Sequence, residues 1–186
     1  MSPIEILGFL TGVANVWLLA RQNLWNWPVG LANNALYLVV FLESGLYGDA
    51  GLQVVYMVLG LYGWWTWTRR GGTVLEITRT PRAAWFALTA AMLAGWLILR
   101  WFLANYTDSV VPGWDGLTTA MSLAAIYGQC RKYVESWWLW IAADVIYIPL
   151  YGYKNLWLTS ALYAVFLALC VVGLRDWRRA LKPSAP

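Results

Sequence analysis

Seven apolar stretches, at 4–20, 25–42, 50–68, 83–104, 113–130, 137–153 and 156–174, take up most of the 186-residue chain. Each is in the range of about 17–25 residues that carries a helix across a bilayer. In lipid every backbone N–H and C=O must find a partner inside the protein, and continuous apolar runs do this as helices. Charge is correspondingly scarce: 61% of residues are hydrophobic and 12% charged, against about 25% charged in a soluble domain. The expected fold is all-α and integral to the membrane, seven transmembrane helices in a single domain. Only the link 69–82 is long and polar, with Gly71, Gly72 and Pro81, so no separate soluble domain fits. The opening MSPIEILGFL has no basic leader region and no small-residue cleavage site, and no signal peptide is expected.

Charge placement gives the expected orientation. Seven alternating spans put Arg21, Arg69, Arg70, Arg79, Arg82, Arg131, Lys132, Arg175, Arg178, Arg179 and Lys182 on one side, with Arg100 and Lys154 on the other. The first side, with the C-terminus, is expected to be cytoplasmic, and the N-terminus outside. Anionic lipid headgroups suffice to explain the basic tail, so no nucleic-acid partner is expected. The 15 Trp suit membrane interfaces and ligand cavities. Trp64, Trp65, Trp85, Trp114 and Trp138 read as belt or packing residues.

Several chemistries are disfavoured. There is no His, and Cys130 and Cys170 sit singly in apolar runs, so neither a metal site nor a disulfide framework is expected. No phosphate-binding glycine loop, nucleophile elbow or acid pair is present. The chain is not expected to be an enzyme or to carry a cofactor.

An internal repeat organises the spans. Shifted by 110 residues, Arg21 meets Arg131, Trp27 meets Trp137, Tyr37 meets Tyr147, Gly63 meets Gly173 and Trp67 meets Trp177. Segments one to three thus recur as five to seven, and segment four is a linker. The plan is repeat one at 4–68, a linker helix at 83–104, repeat two at 113–174, and a basic tail at 175–186. Three spans plus one linker make the repeats parallel, as in transporters whose pathway lies between repeats near the midplane.

Within this plan two faces match. In segment six, Trp137, Trp140, Asp144, Tyr147 and Tyr151 fall on one helix side. In segment two, Trp27, Gly30, Asn34, Tyr37 and Phe41 do the same. An intramembrane carboxylate normally faces a partner, a cavity or a ligand, and aromatic rings beside it suit a flat organic cation. The plain alternative is an aromatic packing helix whose Asp144 is held by a neighbour. Asn33 and Asn34 can equally act as interhelical hydrogen-bonding glue. Segment three offers Gln53 and Tyr56, and segment seven Tyr163. Gln53 can give and accept a hydrogen bond to a hydroxyl or carboxamide. Gly60 and Gly63 read as close-packing points. Trp27 and Trp137 can form an inner gate, stack on a ring, or simply belong to the aromatic belt. Pro149 removes one backbone bond from segment six. A single intramembrane acid without a relay argues for energy-independent transport.

The run from Asn26 to Trp67 and the run from Trp137 to Tyr163 resemble the PnuC family of vitamin transporters. The pieces that carry the likeness are Trp27-Pro28-x-Gly30, Leu46-Tyr47-x-Asp49, Gln53-x-x-Tyr56, Tyr62-Gly63-Trp64, Trp137-x-x-Trp140 and Asp144. The resemblance implies a fold related to SWEET-type sugar transporters. It implies facilitated diffusion of nicotinamide riboside, or of thiamine or riboflavin, across a bacterial inner membrane, with trapping by phosphorylation. It implies a homotrimer. It also implies that Trp27, Trp137 and Trp140 stack on or gate the substrate, with Asn34, Gln53, Asp144 and Tyr163 as polar contacts or their supports. The reading is a nicotinamide riboside transporter, with thiamine or riboflavin as the alternative ligand. A non-transporting membrane scaffold with a dry, sealed centre is the reading from another class.

Overall fold

The computed structural model describes residues 3–43, 47–68, 75–107, 109, 111–153 and 157–181. Leu46, Arg69 to Gly72, Lys154 to Leu156 and the residues from Lys182 onward, which carried expectations above, lie outside the described residues. Seven helices follow in order: α1 (Pro3–Ala20), α2 (Asn26–Glu43), α3 (Tyr47–Thr68), α4 (Arg82–Tyr106), α5 (Pro112–Cys130), α6 (Ser136–Tyr153) and α7 (Trp157–Ala180). Pro81 precedes α4 and Pro112 opens α5, where a missing N–H costs nothing. α6 runs unbroken through Pro149.

Two of these helices, Arg82–Tyr106 and Thr159–Ala180, are long and apolar enough by composition alone to cross a membrane. Others are interrupted by polar residues such as Asn34, Gln53 and Asp144, all of which face the centre of the bundle. α7 runs past the expected boundary at 174 to Ala180. The basic tail expected from 175 therefore begins as helix, because Trp177 is fully buried and holds this last turn in the core.

Six helices close a ring. α2 packs against α1 and α3, and α6 against α5 and α7; α1 also packs on α7, and α3 on α5. Exchanging the two repeats maps this set of pairs onto itself. α4 stands outside, packed on α5 and on no other described helix. Its Trp96 indole donates to the Gly113 carbonyl at 2.9 Å. None of its residues is buried, and its Phe86, Ile98 and Trp101 side chains lie exposed, as a lipid-facing helix requires. Trp64, Trp65, Trp85, Trp114 and Trp138 are exposed too.

The C-terminal ends of α1, α3, α5 and α7 meet at one end of the ring, here called the basic end. Thr66 donates to the Cys130 carbonyl at 2.8 Å, and the Trp177 indole to the Ala20 carbonyl at 3.2 Å. The turns after α1 and α5 have the same form. Asn23 N–H reaches Leu18 O and Gln22 N–H reaches Leu19 O; 110 residues on, Tyr133 reaches Gly128 and Lys132 reaches Gln129. This is the Schellman closure of a helix, which places one residue in the left-handed region. Gln22 (φ 55°) and Lys132 (φ 53°) occupy that place, although both carry the side chain that disfavours it.

Four tryptophans close the basic end in a matched chain. Trp27 meets Trp67 edge-on, with centroids 5.3 Å apart, and Trp137 meets Trp177 likewise at 5.5 Å. Trp67 and Trp177 meet each other at 6.3 Å. Each inner ring lies flat on a glycine of its own third helix, Trp27 on Gly63 and Trp137 on Gly173. In lipid, where apolar helices gain little by leaving solvent, such close packing is what binds them. A methyl group at either glycine would overlap the indole, and overpacking of this kind costs about 1–3 kcal/mol. Gly63→Ala and Gly173→Ala are therefore expected to lower the thermal midpoint of the detergent-solubilised protein and to shift its tryptophan emission. Gly51→Ala, whose added carbon has open space, should not lower the midpoint, since alanine favours a helix over glycine, and should leave the emission unchanged.

Candidate functional site

The centre of the ring is a cavity of about 910 Å³. All six ring helices line it, with Asn15 from α1, Asn34 from α2, Gln53 from α3, Ser122 from α5, Asp144 from α6 and Tyr163 from α7. Trp27, Trp137, Asn26 and Gln129 form its floor at the basic end, and it extends to Phe41, Trp157 and Thr159 at the other. A scaffold would have shown a dry, sealed centre instead.

All ten residues singled out from the sequence, Trp27, Asn34, Tyr37, Gln53, Tyr56, Trp137, Trp140, Asp144, Tyr147 and Tyr163, line this one cavity. They are not alike in role. Trp27 and Trp137 are buried in the floor, whereas the Trp140 ring is half-buried and borders the cavity. Asn33 and Asn34 divide the two functions open to them. Asn33 is tied to the Gly8 carbonyl at 2.7 Å and the Thr11 hydroxyl at 2.8 Å, joining α2 to α1. Asn34 has no hydrogen-bond partner among the described residues. Glu43 and Asp49 are exposed, outside the cavity.

The aromatic side is built mainly by repeat two. Tyr147 and Tyr163 lie with centroids 4.5 Å apart, and Tyr151 stacks on Tyr163 at 5.1 Å and 7°. The Tyr147 hydroxyl is held by Thr118 and Ser122, and that of Tyr56 by Ser122. In repeat one, Gly8 stands where Thr118 would, and the Tyr37 ring closes onto it. Matching tyrosines thus have different supports.

Asp144 is 2% exposed. The Cys170 thiol faces its carboxyl, while Oδ2 has no protein partner. The indole N–H groups of Trp27 and Trp137 are likewise buried without an acceptor. Orphaned buried polar groups cost about 1–3 kcal/mol each, and all three of these residues border the cavity. No Lys or Arg lines the cavity. No group of three potential metal ligands occurs among the described residues.

Below the floor, Lys132 seals the basic end. Its ammonium donates to Gln22 Oε1 at 3.1 Å and lies 4.2 Å above the Trp67 ring. Gln22 and Lys132 are the repeat-equivalent pair, so the contact crosses the axis between the repeats. The 75–80 stretch of the α3–α4 link lies across it: Thr78 pairs with Lys132 and Val134 through the backbone, and Thr80 donates twice to Glu135.

Asn15, Asn26, Ser122, Gln129 and Tyr151 also line the cavity. Sequence reasoning placed Tyr151 on the right face and passed over the other four. α1 and α5 carry no aromatic row, so periodicity gave no reason to inspect Asn15, Ser122 or Gln129, and Asn26 lies at the very start of α2, beside its row.

The family model described as nicotinamide mononucleotide transporter matches residues 2–179. The chain belongs to the nicotinamide mononucleotide transporter family. The riboflavin/roseoflavin transporter RibM of Streptomyces davaonensis is 29% identical, over 98% of this chain and 88% of that one. The nicotinamide riboside transporter PnuC of Escherichia coli is 24% identical, over 95% and 85%. A crystal structure of the vitamin B3 transporter PnuC superposes with a TM-score of 0.76 at 24% identity, over 95% of this chain and 81% of that one. That likeness shows the fold alone; the family model carries the transporter role. Membership also agrees with the absence of enzyme signatures.

Burial pushes the Lys132 ammonium down to about 8 from the usual lysine range. Between that value and about 10.4, where an unfolded lysine titrates, the unfolded chain binds this proton more than the folded one does. Stability therefore rises with pH across this window and is flat below it. Thermal melts from pH 7 to 10 should show the wild type gaining on Lys132→Met above pH 8. A constant gap between the two would contradict this.

Proposed function

We propose that this chain carries nicotinamide riboside across a bacterial cytoplasmic membrane by facilitated diffusion, and that phosphorylation inside the cell then traps it. The observation that carries the reading is Asp144, a buried carboxylate with an unpartnered oxygen beside an aromatic wall. A pyridinium ring offers that site both a positive charge and a flat face. The cavity lining has no basic side chain, so a phosphate would meet no cation there. This favours the nucleoside over the mononucleotide in the family's description. Asn34 and Gln53 are placed to take the ribose hydroxyls. Trp27 and Trp137 act as the inner gate, and the Lys132 contact latches it.

Riboflavin is the second reading. The 910 Å³ cavity is generous for one nucleoside, and RibM is 29% identical. Thiamine, also a cationic aromatic, stands behind both. Charge separates the leading pair, because riboflavin is neutral. Asp144→Asn is expected to weaken nicotinamide riboside binding about tenfold, roughly 1.4 kcal/mol, and to leave riboflavin binding unchanged. Titration calorimetry on purified protein reads both. Tight, Asp144-insensitive binding of riboflavin, with none of nicotinamide riboside, would select the second reading. Uptake into liposomes should be the same with and without a pH gradient.

The basic end faces the cytoplasm in this reading, by the bias of Lys and Arg. A reporter that fluoresces only in the cytoplasm, fused after the C-terminus, should light up; a periplasmic reporter there should stay silent. The homotrimer is carried forward on the family resemblance.

A further inference from the structure

We propose that Asn15 is a specificity-determining residue, which reads the hydroxylated chain of the ligand while the ring end lies toward Trp140. The assignment rests on the transport reading above and deepens it. Asn15 lines the cavity, and its carboxamide has no hydrogen-bond partner among the described residues. It occupies space that exists because residue 30 is glycine. A Cβ on Gly30 would stand 3.1 Å from Asn15 Nδ2 and 3.2 Å from Oδ1.

The repeat shows that this is an exchange and not a local accident. Shifted by 110, Asn15 becomes Ala125 and Gly30 becomes Trp140. In repeat one the first helix supplies the large side chain and the second the small one. In repeat two the first helix supplies the small one, a fully buried Ala125, and the second supplies an indole. At the same level the cavity therefore carries a carboxamide on one side and an aromatic ring on the other.

Neighbouring pairs divide the same way. Asn34 stands against Asp144, and Gln53 against Tyr163. At these paired positions repeat one presents carboxamides, each with a donor and an acceptor, the pattern that a hydroxyl matches. Repeat two presents an acid and rings there, the pattern that a flat cation or a flat heterocycle matches. A ligand with a ring at one end and a polyol at the other then has one favoured orientation. The inference covers a riboside and a ribityl chain alike, and it disfavours a ligand with a single terminal hydroxyl.

Ligand pairs that differ only in the chain test it by calorimetry. Nicotinamide riboside is compared with 1-methylnicotinamide, and riboflavin with lumiflavin. Asn15→Ala should bind the chain-bearing member about tenfold more weakly, the loss of one or two hydrogen bonds, and the bare ring within twofold of wild type. Gly30→Ala keeps Asn15 but shifts its carboxamide by a few tenths of an ångström, and should give a smaller loss of the same selective kind. Thermal melts report folding, and Asn15→Ser serves if Asn15→Ala does not fold. Equal weakening of both members of a pair, or of neither, overturns the role of Asn15 and leaves the transport reading standing. Failure of the wild type to bind either chain-bearing ligand overturns the transport reading and this assignment with it.

Discussion

The arrangement depends on one contact made twice, an indole lying on a glycine. Trp27 on Gly63 and Trp137 on Gly173 each lock the second helix of a repeat to its third. Trp67 and Trp177 then join the two locked units across the axis. A membrane bundle cannot rely on expelling water from between its helices, so close packing has to supply the cohesion. Here a flat, rigid ring on a residue without a side chain gives the largest area of contact available. It also leaves the middle of the ring unfilled, because the tryptophans that could fill it are drawn to one end.

That end is nearly symmetric, and the cavity above it is not. The two Schellman turns, the left-handed Gln22 and Lys132, and the four indoles repeat closely. The exposure pattern of residues 51–60 recurs unchanged at 161–170. Past the floor the repeats part: Asn34 against Asp144, Gly30 against Trp140, Gly8 against Thr118. A framework needs equal packing in both halves to close a ring. A site for an asymmetric molecule needs unequal chemistry. The chain meets both demands by keeping the large packing residues and varying the ones that border empty space.

The symmetry axis has its own chemistry in the Gln22–Lys132 contact. A cation held by an amide and an indole face, under a strip of the α3–α4 link, joins the repeats where they would have to separate for the cavity to open at this end. Lys132 loses hydration there, and its partners restore part of it.

How much could be read without coordinates depended on the kind of periodicity. The helices stood out because long apolar runs have one solution in lipid. The pairing of repeats stood out because Trp, Tyr, Gly and Arg recur at one offset. The ten cavity residues came from aromatic rows on α2, α3, α6 and α7, which helical spacing reveals. Asn15, Ser122 and Gln129 escaped because they stand alone on helices without such rows. The division between Asn33 and Asn34 escaped too, since adjacent residues differ by only 100° and the direction of the cavity is not written in either. So the sequence by itself determined a seven-helix membrane bundle of two like halves, because backbone hydrogen bonding and apolar length admit little else. Only the tertiary structure decided which polar groups are spent on holding helices together and which are left unpaired in the cavity. That choice depends on which helices become neighbours, and α1 meets α7, and α3 meets α5, only when the ring closes.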